Sequence, residues 1–284
     1  MFGGLFRKSP PAATPATDVR VPRAGPDGAV VWAIGDVHGC LDLLDGLLQA
    51  IIGDADVDDR PRTLIFLGDY VDRGPDSRGV VDRLIQIADM PDVDARFIRG
   101  NHEDKMHEFL DDPSVGATWC EYGGDAALAS YGLQPPAMRH RREGWVALSA
   151  DLSHKLGPRG RRFLEQLEPS VTLGGYFFCH AGALPGVPLD QQAERDLMWI
   201  RGRFLNDDQA FDRVVVHGHT PTDVPHVDHR RIGVDTGAYA TGVLTALRID
   251  GRHERFVQAV RGTDGQVTIR DWTAPAPAPT PVAA

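Results

Sequence analysis

Aspartates, histidines and one asparagine recur along this chain in five short glycine-bearing motifs, and their types and order point to cation chemistry. The motifs are Gly35-Asp36-Val37-His38-Gly39, Gly68-Asp69-Tyr70-Val71-Asp72-Arg73-Gly74, Gly100-Asn101-His102-Glu103, His180-Ala181-Gly182 and Gly218-His219-Thr220-Pro221. Carboxylates, a carboxamide oxygen and imidazoles are the donors that suit a pair of divalent first-row metals. Alternate residues of an extended loop point to one side, so Asp36 and His38 can meet one cation. Asp69 has two carboxylate oxygens and can bridge two cations roughly 3.5–4 Å apart. Asn101 offers a neutral oxygen to the second. Alone, a Gly-Asp-x-His is more often a solvated turn; the weight lies in five such motifs in one order.

Arg73 follows Asp72 on the second motif. In an acidic loop an arginine most commonly pairs with a neighbouring carboxylate, but its fork also fits two phosphate oxygens at once. With the third strand end extended, His102 points away from Asn101, which suits a proton donor to a leaving group better than a metal ligand. A carboxylate such as Asp72 beside it would stabilise its charge. The plain alternative is that His102 caps the following helix. His180 and His219 each follow a strand and precede small residues. His217 has the same context, and residue types alone do not separate it from His219. His107, His140, His154, His226, His229 and His253 lack such context and read as surface residues.

The elements that must position these motifs are legible as apolar periodicities. Strands are expected over Val30 to Ile34, Thr63 to Leu67 and Arg96 to Ile98, each running into one of the first three motifs. Helices are expected over Leu41 to Ile52 and Ser77 to Ala88, with a further one from Glu103. This is a βαβαβ unit, and ligands gather outside the carboxyl ends of such strands. Residues 104–168 read as helical and irregular. Strand patterns return at Val171 to Cys179, Val214 to Val216, Ile232 to Val234, Val243 to Ile249, His253 to Val260 and Val267 to Arg270. The order predicts an α/β fold of two sheets face to face with helices outside, and a helical cap over about residues 104–168 beside the strand ends.

At 284 residues and a formal charge of −10, from 40 acids against 30 bases, the chain lacks the basic field of a general nucleic-acid or anionic-membrane surface. No run approaches the ~20 apolar residues of a membrane span, so a cytoplasmic protein is expected. Cys40, Cys120 and Cys179 are too few and too scattered for a disulfide framework. Residues 1–28 and 273–284, rich in Pro, Ala and Gly, are expected as disordered tails around a catalytic domain over 29–272.

These motifs resemble the phosphoprotein phosphatase family of metallophosphoesterases, whose pattern is GDxHG, GDxVDRG, GNHE, HAG and a late GH. The resemblance runs from about Val31 to Asp250 and lies nearest to small bacterial serine/threonine protein phosphatases. It implies a first metal held by Asp36, His38 and bridging Asp69, and a second held by Asp69, Asn101, His180 and His219, which prefers His219 to His217. It further implies Arg73 as a phosphate arginine, Asp72–His102 as an acid dyad, and a second phosphate arginine at Arg201 in Trp199-Ile200-Arg201, with Arg203 the alternative on the same side of an extended chain. The implied cofactors are two divalent ions, Mn²⁺ foremost with Fe or Zn as alternatives, sharing a water that attacks phosphorus in line.

On this resemblance the expected activity is that of a serine/threonine protein phosphatase acting on a phosphorylated protein. The alternative is a dinucleoside polyphosphate hydrolase, which would need an aromatic partner for a base, Trp119 or Tyr122, although both residues fit the core of the cap equally well. Both lie in Trp119 to Gly132, where Tyr122 and Ala127 replace the Asn and Thr of bacterial relatives. The segment Asp235-Thr236-Gly237-Ala238-Tyr239 occupies a late strand end that can line the cleft.

Overall fold

In a computed structural model, which describes residues 22–55, 60–91 and 93–273, β1 (Val30–Ile34) alternates its side chains between two different cores. Val30, Trp32 and Ile34 join a core under helices, whereas Val31 and Ala33 join one between two sheets. A strand apolar on both faces must be covered on both, and burying each such large side chain is worth roughly 1.5–3 kcal/mol. The parallel strands β2 (Arg62–Phe66) and β3 (Asp94–Phe97) follow, linked by α1 (Leu41–Ile52) and α2 (Ser77–Ala88). In α1, Leu43, Leu44, Leu47, Leu48 and Ile51 form the buried stripe.

The next segment holds α3 (Asn101–Asp111), α4 (Gly116–Trp119), a kinked turn Cys120–Gly124 with a positive φ of 106° at Gly123, α5 (Asp125–Ser130) and α6 (Arg142–Glu165). Helix α6 breaks at Gly157, whose φ of 69° precedes Pro158. The second sheet follows: β4 (Ser170–Leu173), β5 (Tyr176–Cys179), β6 (Val214–His217), β7 (His226–Val227) and β8 (Arg231–Gly233). Between β5 and β6 lie α7 (Glu194–Trp199) and α8 (Gly202–Leu205). After α9 (Ala238–Thr241), the strands β9 (Val243–Asp250), β10 (His253–Arg261) and β11 (Val267–Trp272) return to the first sheet. Strand order is β11-β10-β9-β1-β2-β3 in one sheet and β4-β5-β6-β8-β7 in the other.

The two sheets share an apolar interface of Val31, Ile65, Leu67, Phe178, Val216, Ile232 and Leu247. Phe177, Cys179 and Val215 face the other way, under Leu197, Ile200 and Phe204 of the α7–α8 segment. The result is the expected helix–sheet–sheet–helix sandwich. Phe109, Trp119, Trp145 and Phe163 of the helical segment join the same core as α1 and α2. Among the described residues no helix is long and apolar enough to cross a membrane.

Three local expectations are corrected. The strand expected over Val171–Cys179 is a hairpin, because Gly174 takes a left-handed φ of 55°. Helix α3 starts at Asn101 rather than Glu103, so Asn101 and His102 diverge around a helix by about 100° instead of alternating along a strand. Within the expected N-terminal tail, residues 1–21 lie outside the described residues, but the stretch after them is held. Arg23 forks onto Glu254 at 2.6 Å, and Gly25 N donates to Gly251 O at 2.7 Å. The expected C-terminal tail lies beyond the described residues except Thr273.

Candidate metal centre

The registers of the parallel strands bring the motifs to one edge. Ile34 pairs with Phe66 and Phe66 with Phe97, so the chain leaves β1, β2 and β3 side by side. His180 and His219 leave β5 and β6 in the facing sheet. Glycine is required where these loops cross: a Cβ on Gly218 would strike Asp36 Oδ1, and one on Gly100 would strike Asp69. Among the described residues, the non-glycine residues with left-handed φ are His38, Asp69, Asp72, Arg73 and His219. Every one belongs to the predicted site. Such backbone costs of order 1–3 kcal/mol per residue and clusters where function requires it.

The predicted ligands converge. His180 Nε2 lies 3.3 Å from Asp69 Oδ1, 3.0 Å from Asn101 Oδ1 and 3.1 Å from His219 Nδ1. His38 Nε2 lies 3.5 Å from the other Asp69 oxygen, Oδ2. Asp69 thus stands between two groups of donors, as a bridging carboxylate would. Asp36 closes the arrangement by accepting the backbone N–H of His219 at Oδ2, 2.9 Å away. The Nδ1 atoms of His38 and His180 are bound to the carbonyls of Val71 and Leu67 at 2.8 and 2.9 Å. Those bonds select the tautomer whose Nε2 lone pair faces the site, the usual support of a metal-ligating imidazole.

The donor set fits cations. Asp36 Oδ1 is buried without a hydrogen-bond partner, and the atoms that meet His180 Nε2 are the acceptors Asp69 Oδ1 and Asn101 Oδ1 and the ring nitrogen His219 Nδ1. Burial pushes the Asp36 carboxyl well above its ordinary range, with Asp235 and Asp69 adding to the effect. Burial pushes His38 down to about 3 and His219 down to about 2, so both imidazoles are neutral at physiological pH, the form that binds metal.

The predicted dyad forms as well. His102 Nδ1 donates to Asp72 Oδ2 at 2.6 Å, while its Nε2 stands 3.9 Å from Asp69 Oδ2. Arg73 reaches the same place: Nη1 is 3.1 Å from His38 Nε2, and its guanidinium carbon lies 4.9 Å from the ring centroid of Tyr239. Arg201 is exposed at the rim, where Nη1 donates to Thr220 Oγ1 at 3.2 Å, one residue from His219. Arg203 is exposed on α8. His217 turns out of the site: its Nδ1 donates to Gly218 O and its ring lies against Phe204.

Residue type gave one contributor, Glu103, no role and another, Trp119, a different one. Glu103 accepts four backbone N–H bonds, from Asp69 and Gly100 at Oε2 and from Tyr70 and Val71 at Oε1, at 2.7–3.1 Å. It occupies the third helical position after Gly100, where a glutamate reaching back over a helix start is a readable signal. Trp119, considered as a base-stacking partner, is 0% exposed and donates Nε1–H to Asp72 Oδ2 at 2.9 Å. It is sealed off from any ligand base. Tyr122, by contrast, is 55% exposed.

Comparison with known proteins places these features. A bis(5'-nucleosyl)-tetraphosphatase PrpE (asymmetrical) of Oceanobacillus iheyensis is 27% identical over 239 residues, 76% of this chain and 86% of that protein. The one from Geobacillus thermodenitrificans is 26% identical over 238 residues, 76% and 88% of the two chains. Among solved structures, a protein provisionally named a diadenosine tetraphosphatase superposes with TM-score 0.56 at 21% identity, over 89% of this chain and all of that one (100%). A cold-active protein-tyrosine phosphatase of a psychrophilic Shewanella gives TM-score 0.56 at 17% identity, over 89% and 83%. At such identities the structures speak to the fold alone.

The expectation of a serine/threonine protein phosphatase with a phosphorylated protein as partner is corrected by the curated relatives, which are named nucleotide hydrolases. The physical reason for the error is plain. The five motifs build only the end of the site that meets cations and a phosphoryl group, and phosphoproteins and nucleotides share that group. A calcineurin-like phosphoesterase model matches residues 29–251, the span that carries all five motifs. Two groups of candidate metal donors share Asp69, one with His38 and His102 and one with His180 and His219; the chain belongs to the calcineurin-like phosphoesterase family and is a metallophosphoesterase hydrolase.

Proposed function

We propose that this protein is an asymmetric hydrolase of bis(5'-nucleosyl) tetraphosphates, with residues 29–272 as its catalytic domain and about 104–168 as a helical insertion beside the site. The observation that carries the reading is the extent of the similarity, over 76% of this chain and 86–88% of relatives named for that activity. The rim supports it. Tyr239 is 38% exposed beside Arg73, and Tyr122 precedes Gly123, whose carbonyl accepts the Arg73 N–H at 3.1 Å. Two accessible aromatic rings flanking a phosphate arginine offer stacking surfaces for a base.

Asp36, His38 and Asp69 would hold one divalent ion, and Asp69, Asn101, His180 and His219 the other. When bound, such a pair lowers the pKa of water and neutralises phosphate charge. Arg73 grips phosphate oxygens through its fork, and Arg201 adds a second positive group at the rim. His102, held at Nδ1 by Asp72, turns Nε2 toward the site and delivers a proton to the departing oxygen.

The test is product analysis. With Mn²⁺ supplied, diadenosine tetraphosphate should yield equal amounts of ATP and AMP on anion-exchange chromatography. Two ADP would contradict the asymmetric cut. Release of phosphate from phosphopeptides with no nucleotide cleavage would overturn the reading.

A further inference from the structure

We propose that Trp119 is a positioning residue for the Asp72–His102 dyad, an inference that rests on the role of His102 given above. Asp72 is fully buried, with a left-handed φ of 71°. Its Oδ2 takes two donors, His102 Nδ1 at 2.6 Å and Trp119 Nε1 at 2.9 Å, and its Oδ1 has no hydrogen-bond partner. With His102 alone, the carboxylate could turn about its last torsion and carry the imidazole with it. The second donor, arriving from a different element, fixes that torsion.

An indole N–H can only donate. It therefore stabilises Asp72 as an acceptor and cannot compete for the proton that His102 delivers. The indole itself is held firmly. Its ring packs on Phe109 with centroids 5.1 Å apart, and a Cβ on Gly124 would strike it. Trp119 ends α4, and the kinked turn that follows brings Gly123 against the backbone of Arg73. The helical insertion thus touches the site at two points, the proton donor's partner and the phosphate arginine.

The experiment compares Trp119→Phe, Asp72→Asn and the double variant. Phenylalanine keeps a ring in the core and removes only the N–H. Turnover of diadenosine tetraphosphate by Trp119→Phe should fall about 10-fold in kcat, part of the roughly 10²–10⁴-fold that proton transfer contributes, with KM and metal content unchanged. Adding Trp119→Phe to Asp72→Asn should cost nothing further, because groups acting through one partner are not additive. Independent, multiplying losses, or an unchanged kcat in Trp119→Phe, would overturn the proposal.

The proton spectrum tests it without turnover. The indole N–H resonance of Trp119 should move in Asp72→Asn, and the low-field imidazole N–H of His102 should move in Trp119→Phe. Should Trp119→Phe fail to fold, β-(3-benzothienyl)alanine at position 119, which keeps the bicyclic ring and lacks the N–H, carries the same kinetic and His102 readouts. If Asp72→Asn and His102→Ala retain full turnover, the reading of the dyad itself fails. If they lose it while Trp119→Phe does not, only the role of Trp119 falls.

Discussion

The guanidinium of Arg73 lies across the ring of Tyr239, 4.9 Å from its centroid, and this contact joins α9 to the loop that carries Asp69 and Asp72. Arg73 carries a left-handed φ of 66°, and its N–H is tied to Gly123 O. Backbone and side chain are thus restrained from opposite sides. A cation over an aromatic face is worth about 0.5–2 kcal/mol.

Replacing Tyr239 by Ala should therefore lower kcat/KM roughly 2- to 30-fold, the kinetic equivalent of that energy. Tyr239→Phe keeps the ring and should stay near wild type. Steady-state kinetics on both variants separate the two groups, and an equal loss in Tyr239→Phe would move the role to the hydroxyl.

Much of the frame was legible because periodicity decides it. The bounds of β1, α1 and α2 follow from runs such as Val30–Ile34 and the stripe Leu44, Leu47, Leu48 and Ile51. Other features depend on backbone angles that residue types do not encode. His217 and His219 are alternate residues and would share a side in an extended chain; the left-handed φ of 66° at His219 separates them. His102 was read on a strand end, but Gly100 starts the helix earlier. Trp119 fitted both a core and a stacking role until its burial decided. The substrate was illegible for a different reason: the motifs encode the phosphoryl end alone.

Glu103 is expected to be the keystone of the Asp69 loop. Its two oxygens accept four backbone N–H bonds, which favour the ionised carboxylate against burial and the neighbouring Asp69, which push the carboxyl up to about 7. Glu103→Gln turns an amide N–H₂ toward two of those donors and leaves them unpaired. The cost should be about 2–5 kcal/mol. Urea unfolding of the metal-free variant measures it, and a loss within about 0.5 kcal/mol, the range of ordinary surface substitutions, would remove Glu103 from this role.

Removing divalent ions should abolish hydrolysis and lower the melting temperature, with both restored by adding Mn²⁺. Asp36 Oδ1 is buried without a hydrogen-bond partner, and Asp69, Asn101 and His219 bring acceptor atoms within 3.0–3.3 Å of His180 Nε2, so the folded state gains what a cation supplies. At a metal concentration 100 times the dissociation constant the gain is about 2.7 kcal/mol. Asp36→Asn should fold yet lose turnover and most of that thermal response. Calorimetry with and without chelator checks it; an equal rise in the variant would take Asp36 out of the ligand set.

His217 offers a pH signature outside the catalytic groups. Its Nδ1 donates to Gly218 O at 3.0 Å, and its Nε2 accepts from Arg231 Nη1 at 3.2 Å, so the ring is folded in as a neutral tautomer. Burial, and then the charge of Arg231, push it down to about 3. In the unfolded chain a histidine titrates near 6.5. Between those values the unfolded state binds a proton that the folded state does not, so this group's stabilisation is complete above about pH 6.5 and falls as pH drops toward 3. The slope is about 1.4 kcal/mol per pH unit. His217→Gln should cost about 1–3 kcal/mol at neutral pH, and that cost should shrink as pH falls from about 6.5 to 4. Denaturant unfolding of both proteins across this window measures the difference, and a pH-independent gap would mean that the buried imidazole carries its proton in the folded state.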